Sequence, residues 1–552
     1  MIKNNNSIVY KKTILVTTAF PYSNGCLHLG HILENIQADI YVRFNKLINN
    51  NIYFISSDDS HGTPIMLKSI YLNINPNILI KFFYKNHKKI FKKYYINFDY
   101  YGKTHNKENY RLLIKIFSIL KKKKMLINKK INQLYDEKKS MFLPDRMIIG
   151  ICPICKSPNQ YGDNCNLCNS VYNAIDLINP ISVISKKKPI IKTSNHILFN
   201  INAIKNDILY TIKNDIKLQK SIFKKSIEWF YSKLKPWDIS RDHPYFGFKI
   251  PNYHNKFFYV WLDATIGYIS SSKTLFKYKN INYLDFWGKN SKYKICQFIG
   301  KDISYFHVLF LPAILICINF KKPDNIFIHG HLTIKNKKMS KSLFNYINAN
   351  NFLKYIESDY IRYYFASKLS NKVIDINFDI YELTYKVNNI LINKILNIGS
   401  RCSKLINIYY NNNIFYNKLI YKDNLYKDFI YISNYIWYMY ENLEYYKIIN
   451  IIEKLSDNIN KYISINKPWS IKNNNTKIVL STSINLFKII IFYMKPIIPK
   501  IFLEIENFLN LKININNFYK IIPNNHKINN FSSKFIKIDI NHLKNNLNKN
   551  LF

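Results

Sequence analysis

Ile14 to Thr18 is a short apolar run rich in β-branched residues and predicts a buried strand. Pro21 and Asn24-Gly25 predict a turn, and from Ile32 to Leu47 the apolar positions fall into helical period. The alternation repeats: Ile52 to Ser56 reads as a second strand, and Asn77 to Tyr95 and Lys107 to Met125 read as helices. Cys296 to Gly300 and Ile326 to His329 are further short strands, each running into a polar loop. Beyond about Tyr385 the strand signals stop. Tyr385 to Ile408, Asp428 to Ile465 and Thr482 to Leu509 are long amphipathic stretches that predict a helical bundle, followed by some thirty polar residues expected as a partly ordered tail.

At 552 residues the chain is too long for one core and suggests three or four units. Its formal charge of +47 points to a polyanionic partner, or to compositional drift in a chain dominated by Lys, Asn, Ile, Tyr and Phe. Against that excess of lysine there are only six arginines, so each is a candidate for a specific role. No secretory signal is visible, and the apolar run Val308 to Ile318 carries Pro312 and is too short to span a bilayer. With thiol usage typical of a reducing compartment, the expectation is a cytoplasmic protein with no membrane contact.

His28-Leu29-Gly30-His31 falls at the start of the first helix, where unpaired backbone N–H groups and the helix dipole attract anions. Gly30 there removes a side chain that would keep a ligand off the backbone. The pair reads either as a nucleotide site or as two metal ligands. Ser57 to Pro64 ends the second strand, and in a parallel sheet this loop and the first face one crevice. Within it Asp59 suits a substrate ammonium or the cap of a turn. Cys152, Cys155, Cys165 and Cys168 form two Cys-x-x-Cys knuckles whose four thiolates can close on one zinc. With every position filled by protein, that zinc is structural. Trp261, Ala264 and Tyr268 share one side of a helical turn and leave room for a slim apolar group, while His307 reads as a core residue or a pocket wall. Lys338-Met339-Ser340-Lys341-Ser342 places two cations and two hydroxyls on a loop suited to a triphosphate. On Tyr385 to Ile408, Val387, Leu391, Ile395, Ile398 and Cys402 form an apolar stripe. Asn389, Asn393, Asn397 and Arg401 recur on another face, either solvated or reading base edges.

The two histidines followed by the Lys338 to Ser342 motif resemble the class I aminoacyl-tRNA synthetases. Phe20 to Gly25, Asp58 to Pro64, Met141 to Arg146, Asp238 to Asp242 and Tyr259 to Asp263 look like the methionyl-tRNA synthetase family within that class. The resemblance implies an α/β fold: a Rossmann-like doubly wound parallel sheet with an inserted zinc-knuckle domain and an α-helical anticodon-binding bundle. The units expected are a first catalytic half at 1–106, the insertion at 107–258, a second half at 259–331, a loop and stem-contact region at 332–384 and the bundle at 385–552. It implies that methionine and ATP form methionyl adenylate and pyrophosphate, and that methionine then passes to the terminal adenosine of initiator and elongator methionine tRNA. His28, Gly30, His31 and Lys341 would bind ATP, with His28, His31, Lys338 and Lys341 catalytic and Mg²⁺ accompanying ATP. Asp59 would take the methionine ammonium, with Arg241 near its carboxylate or paired to Asp59. Phe20, Tyr22, Trp261, Ala264, Tyr268, Ile303, Phe306 and His307 would surround the side chain. Asn393, Asn397, Arg401, Pro468 and Trp469 would meet the anticodon. Phe20 and Thr265 depart from the leucine and proline usual in the family, and both adjoin the methionine pocket. The chain ends after the bundle, which leads one to expect a monomer. A class I synthetase for another amino acid and a noncatalytic zinc RNA-binding relative are the rival readings. The first would need a larger editing insertion, and the second would not need His28, His31 and Lys341.

Overall fold

A computed structural model describes residues 11–546, apart from 163, 164, 166, 169, 171, 232, 233, 340–345, 416–419, 422, 471 and 532–534. Strands β1 (Thr13–Thr18), β2 (Asn51–Asp58), β3 (Tyr100–Lys103), β4 (Lys294–Gly300) and β5 (Asn325–His329) form an all-parallel sheet in the order β5-β4-β1-β2-β3. Leu15, Val16, Phe54, Ile55, Phe298 and Ile299 are buried on its two faces, which is why these strands read as continuous apolar runs. Strand order reverses beside β1, so the loops after β1 and β4 diverge and open a crevice at their carboxyl ends. Helix α1 (Leu29–Leu47) starts three residues earlier than its apolar period suggests, because His28 caps it.

Between β3 and β4 the chain leaves the sheet. Two long antiparallel strands, Leu126–Asp136 and Ile190–Phe199, carry a small sheet of Ile148–Ile151, Gln160–Tyr161 and Ile178–Ser182, from which the cysteine knuckles project. The chain returns through helix α2 (Val260–Tyr278), packed on β2, β3 and the helix Lys107–Lys122.

Apart from a small sheet of Leu332–Ile334, Lys337–Lys338 and Ile376–Asn377 and a short pair of Asn413–Ile414 with His526–Lys527, the remaining described chain is mainly helical, with two departures from the expected pattern. The stretch expected as one helix from Asp428 to Ile465 is three, Asn424–Tyr431, Ser433–Glu441 and Tyr445–Asn466, the last break made where Leu443 takes a left-handed φ of 59°. Thr482 to Leu509 is two, Asn474–Met494 and Pro499–Leu509, because Pro496 and Pro499 have no N–H to continue the ladder. The described part of the tail, expected as partly ordered, is anchored: Ile528, Ile538 and Leu543 are buried, and Ile538 exchanges two hydrogen bonds of 2.8 and 2.9 Å with the Asn388 amide. Asn474–Met494 is long and apolar enough to cross a membrane, but 89% of its most apolar window is buried in the protein, as the central helix of the bundle.

One side chain ties these layers together. Arg362, fully buried on Ser358–Ala366, pairs with Asp39 of α1 at 2.7 Å and donates to the carbonyls of Ile497, Pro496 and Tyr94 at 2.8, 2.9 and 3.2 Å.

Candidate active site

A cavity of about 300 Å³ occupies the crevice at the carboxyl ends of β1 and β4. His28, Gly30, His31, Glu34 and Asn35 line one part of it. The His28 backbone N–H donates to His31 Nδ1 at 3.1 Å, and the Gly30 N–H donates to His28 Nδ1 at 3.1 Å, so the two rings form a reciprocal cap. Because each Nδ1 accepts, the neutral rings carry their protons on Nε2, the arrangement that donates to a phosphate oxygen. A Cβ on Gly30 would lie 2.9 Å from the His28 ring, so this glycine is needed by the cap itself as well as by any ligand. Lys341 lies outside the described residues. Lys338 belongs to the short strand Lys337–Lys338, paired with Leu332–Ile334.

The second part is aromatic. Tyr22 bridges to Asp59, with Asp59 N–H donating to Pro21 O and Ser23 N–H to Asp59 O, both at 2.9 Å, which extends the β1–β2 pairing and sets the two side chains together. Phe20, Tyr22, Asp59, Trp261, Ala264, Thr265, Tyr268, Ile303 and His307 form the wall. Phe306 stands behind it, stacked on Trp261 with ring centroids 3.9 Å apart and planes 1° from parallel. His307 donates from Nδ1 to Ile303 O at 3.0 Å, so its Nε2 accepts from Tyr268 O–H at 2.8 Å. Burial lowers the His307 pKa to about 4, which keeps the ring neutral. Thr265 donates its hydroxyl to Trp261 O at 2.9 Å and so stays within the helix. Asp59 is 3% exposed and its Oδ1 has no hydrogen-bond partner among the described residues. Burial first, and the neighbouring Asp263 charge second, push its carboxyl well above the usual range. A cation placed there removes both penalties.

Of the two places expected for Arg241, near the methionine carboxylate or paired to Asp59, the pairing with Asp59 is not what the structure shows. Arg241 lies on the strand Ser240–Asp242, opposite Phe257, with its guanidinium 3.7 Å from the Tyr259 ring and Nη1 3.1 Å from Asp238. Asp238 lies three residues back and is within easy reach, so Arg241 pairs there and not with Asp59, outside the cavity wall.

The four cysteine sulfurs lie within 4.8 Å of one another. Cys152 and Cys168 are 3.9 Å apart and Cys155 and Cys165 are 3.5 Å apart, close to the roughly 3.8 Å edge of a tetrahedron with ~2.3 Å zinc–sulfur bonds. The Cys168 and Leu167 N–H groups each approach Cys165 Sγ at 3.4 Å. Burial raises this thiol's pKa, but these donors outweigh it and the net direction is downward, toward the thiolate a metal takes. The donor set fits zinc.

On the helical side the apolar stripe Val387, Leu391, Ile395, Ile398 and Cys402 is buried, as the spacing requires. The backbone is π-helical over Lys386–Leu396 and α-helical over Asn397–Tyr410. Asn393 is exposed, Asn397 and Arg401 are half-buried, and the Arg401 guanidinium lies 5.7 Å from the ring of Trp469, which is 46% exposed beside buried Pro468.

Two features of the site escape sequence reasoning. Glu34 Oε2 lies 3.1 Å from His329 Nε2, both on the cavity wall; the signal was Glu34 one helical turn after His31. The other is a buried chain, Asp263 to His61 at 2.6 Å and His61 to His105 at 2.8 Å, which joins residues far apart in sequence.

The family model for tRNA synthetases class I (M) matches residues 14–403. The Methionine--tRNA ligase of Buchnera aphidicola subsp. Baizongia pistaciae is 47% identical over 541 residues, covering 97% of this chain and 98% of the relative. That of Wigglesworthia glossinidia brevipalpis is 46% identical over 544 residues, with 97% and 98% covered. The chain belongs to the methionyl-tRNA synthetase family. The fold agrees with the structure of Mycobacterium tuberculosis methionyl-tRNA synthetase in complex with methionyl-adenylate, at a TM-score of 0.75 and 18% identity over 94% of this chain and 98% of that one.

Proposed function

We propose that this ATP-dependent aminoacyl-tRNA ligase activates methionine in the crevice and passes it to methionine tRNA, with the following division of labour. The methionine ammonium pairs with Asp59, and its thioether lies among Trp261, Ala264, Tyr268, Ile303 and His307, where sulfur against aromatic edges is a favourable contact. Phe20 and Tyr22 close that pocket and Phe306 braces Trp261. ATP enters with Mg²⁺ and sets its phosphates on the Nε2–H groups of His28 and His31, with Lys338 and Lys341 from the following loop. The methionine carboxylate attacks the α-phosphorus in line and pyrophosphate leaves; Lys341 neutralises the charge that develops there. The methionyl group then moves from the adenylate to the terminal ribose.

Zinc on Cys152, Cys155, Cys165 and Cys168 holds the insertion together, since so small a sheet has little core of its own. Asn393, Asn397, Arg401, Pro468 and Trp469 read the anticodon, with the partly exposed Trp469 ring stacking on a base. The chain divides near residues 106, 258, 331 and 384 into catalytic half, insertion, catalytic half, loop region and anticodon-binding helices.

The buried Asp59 oxygen, without a hydrogen-bond partner among the described residues and set in an aromatic cavity, carries this reading. Asp59→Asn removes one partner of a buried charge pair, a loss of about 3–5 kcal/mol, or roughly two to four orders of magnitude in methionine KM. Methionine-dependent exchange of pyrophosphate into ATP measures it, and an unchanged KM refutes the assignment.

A further inference from the structure

Asp263, in the first turn of α2, is fully buried; its Oδ2 is 2.6 Å from His61 Nδ1 and its Oδ1 has no hydrogen-bond partner among the described residues. His61 is also fully buried, and its Nε2 is 2.8 Å from Nδ1 of His105, which is only partly buried. Phe248 stacks on the His105 ring, with planes 11° apart, and meets His61 edge-on at 4.5 Å. The chain is thus insulated along its length and open at the His105 end. Burial lowers His61 to about 3 and His105 to about 4, so both rings are neutral.

Two neutral imidazoles in series allow only two arrangements of protons. In the first, Asp263 is a carboxylic acid donating to His61 Nδ1, His61 Nε2–H donates to His105 Nδ1, and His105 carries its proton on Nε2. In the second, Asp263 is a carboxylate accepting from His61 Nδ1–H, and His61 Nε2 accepts from His105 Nδ1–H. The second holds one proton fewer, and that proton leaves from His105 Nε2.

With the cavity empty, Asp59 and Asp263 are neighbouring buried carboxyls, and burial pushes both well above the usual range. Neither pairs with Arg241, so one proton between them is the lower-energy state. The other titratable groups nearby are Asp58, Tyr22, Tyr245 and Tyr268, with Lys103 beyond His105. Burial holds the three tyrosines protonated, and Asp58 is engaged by His87, Tyr101 and Ser23.

We propose that methionine binding is linked to proton release: the arriving ammonium makes Asp263 give up its proton through His61 and His105 to solvent, leaving Asp59 as the carboxylate on the cavity wall and Asp263 as a second, fully buried carboxylate outside the lining. Asp263 Oδ2 passes its proton to His61 Nδ1, His61 Nε2 passes its own to His105 Nδ1, and His105 Nε2 releases one to water. Both histidines end neutral with their tautomers exchanged. This rests on Asp59 as the ammonium site. Affinity for methionine therefore rises with pH, by up to about tenfold per unit while the empty site holds its proton.

Isothermal titration of the full chain with methionine, in phosphate and in Tris near neutral pH, counts the protons. The expected result is about one proton released per methionine bound, and in Asp263→Asn heats that no longer depend on the buffer. Buffer-independent heats in the unsubstituted protein, with methionine still bound, overturn the proposal and leave Asp59 in place. Undiminished release from Asp263→Asn overturns it too, since the proton then has another source. The Asp59 reading fails separately, if Asp59→Asn binds methionine with unchanged affinity. Should Asp263→Asn not fold, the unsubstituted protein alone decides.

Discussion

Gly267→Ala tests the shape of the methionine pocket through a single methyl group. A Cβ at this position on α2 would lie 2.8 Å from Phe20 Cε2 and 3.2 Å from Thr104 Cγ2, both tighter than ordinary contact. The Phe20 ring has little room to slide away, because Tyr268 stands 4.4 Å from it, centroid to centroid, and is itself fixed by His307 at 2.8 Å. The ring relieves the clash by tilting into the cavity, where the thioether is to lie. Overpacking by one methyl costs about 1–3 kcal/mol. Met at substrate binding, that strain raises the methionine KM about 5- to 150-fold, with the ATP KM unchanged and the melting temperature little altered. Pyrophosphate exchange with methionine and ATP varied in turn gives the numbers. Adding Phe20→Leu, which shortens the offending side chain, restores most of the lost affinity. If Gly267→Ala leaves the methionine KM unchanged, or the double variant is no better than the single one, Phe20 does not shape this pocket.

Lys341→Ala slows adenylate formation by orders of magnitude with little change in methionine affinity, since the charge it meets develops only as pyrophosphate leaves; normal single-turnover formation of adenylate removes it from this role. Cys165→Ser lowers zinc content from one per chain and increases protease cleavage within residues 140–180; full occupancy by elemental analysis argues against a four-sulfur site. Trp469→Ala weakens charging of methionine tRNA by about one to two orders of magnitude, the equivalent of ~1–3 kcal/mol of stacking, while pyrophosphate exchange stays near normal. Equal loss of both activities makes Trp469 a support of the fold.

What sequence reasoning recovers follows from the range of the interactions involved. The parallel sheet is legible because strands covered on both faces must be apolar throughout, and the bundle's buried stripe because helical period alone decides it. His28 and His31 are legible as a pair because their geometry is set within one turn. For Arg241 only the choice of ion-pair partner differs from one of its two expected places: strand pairing leaves it with Asp238, three residues back. The His61–Asp263 contact joins residues 202 positions apart and leaves no local pattern. Leu443 shows the same limit for backbone: a branched residue at φ 59° is held there by packing, with no glycine to announce the turn.

The placement of Arg362 bears on cooperativity. Its guanidinium gathers a carboxylate from α1, a carbonyl from the segment before β3 and two carbonyls from the turn between the last long helices. Unfolding the C-terminal helices withdraws two of its partners while leaving it and Asp39 inside the sheet layer, a state in which a buried cation is only half solvated by the protein. Partial unfolding is thereby penalised at both ends, so the sheet and the distal helices melt as one unit. An excised catalytic half inherits an exposed apolar seam with an incomplete ionic cluster at its centre.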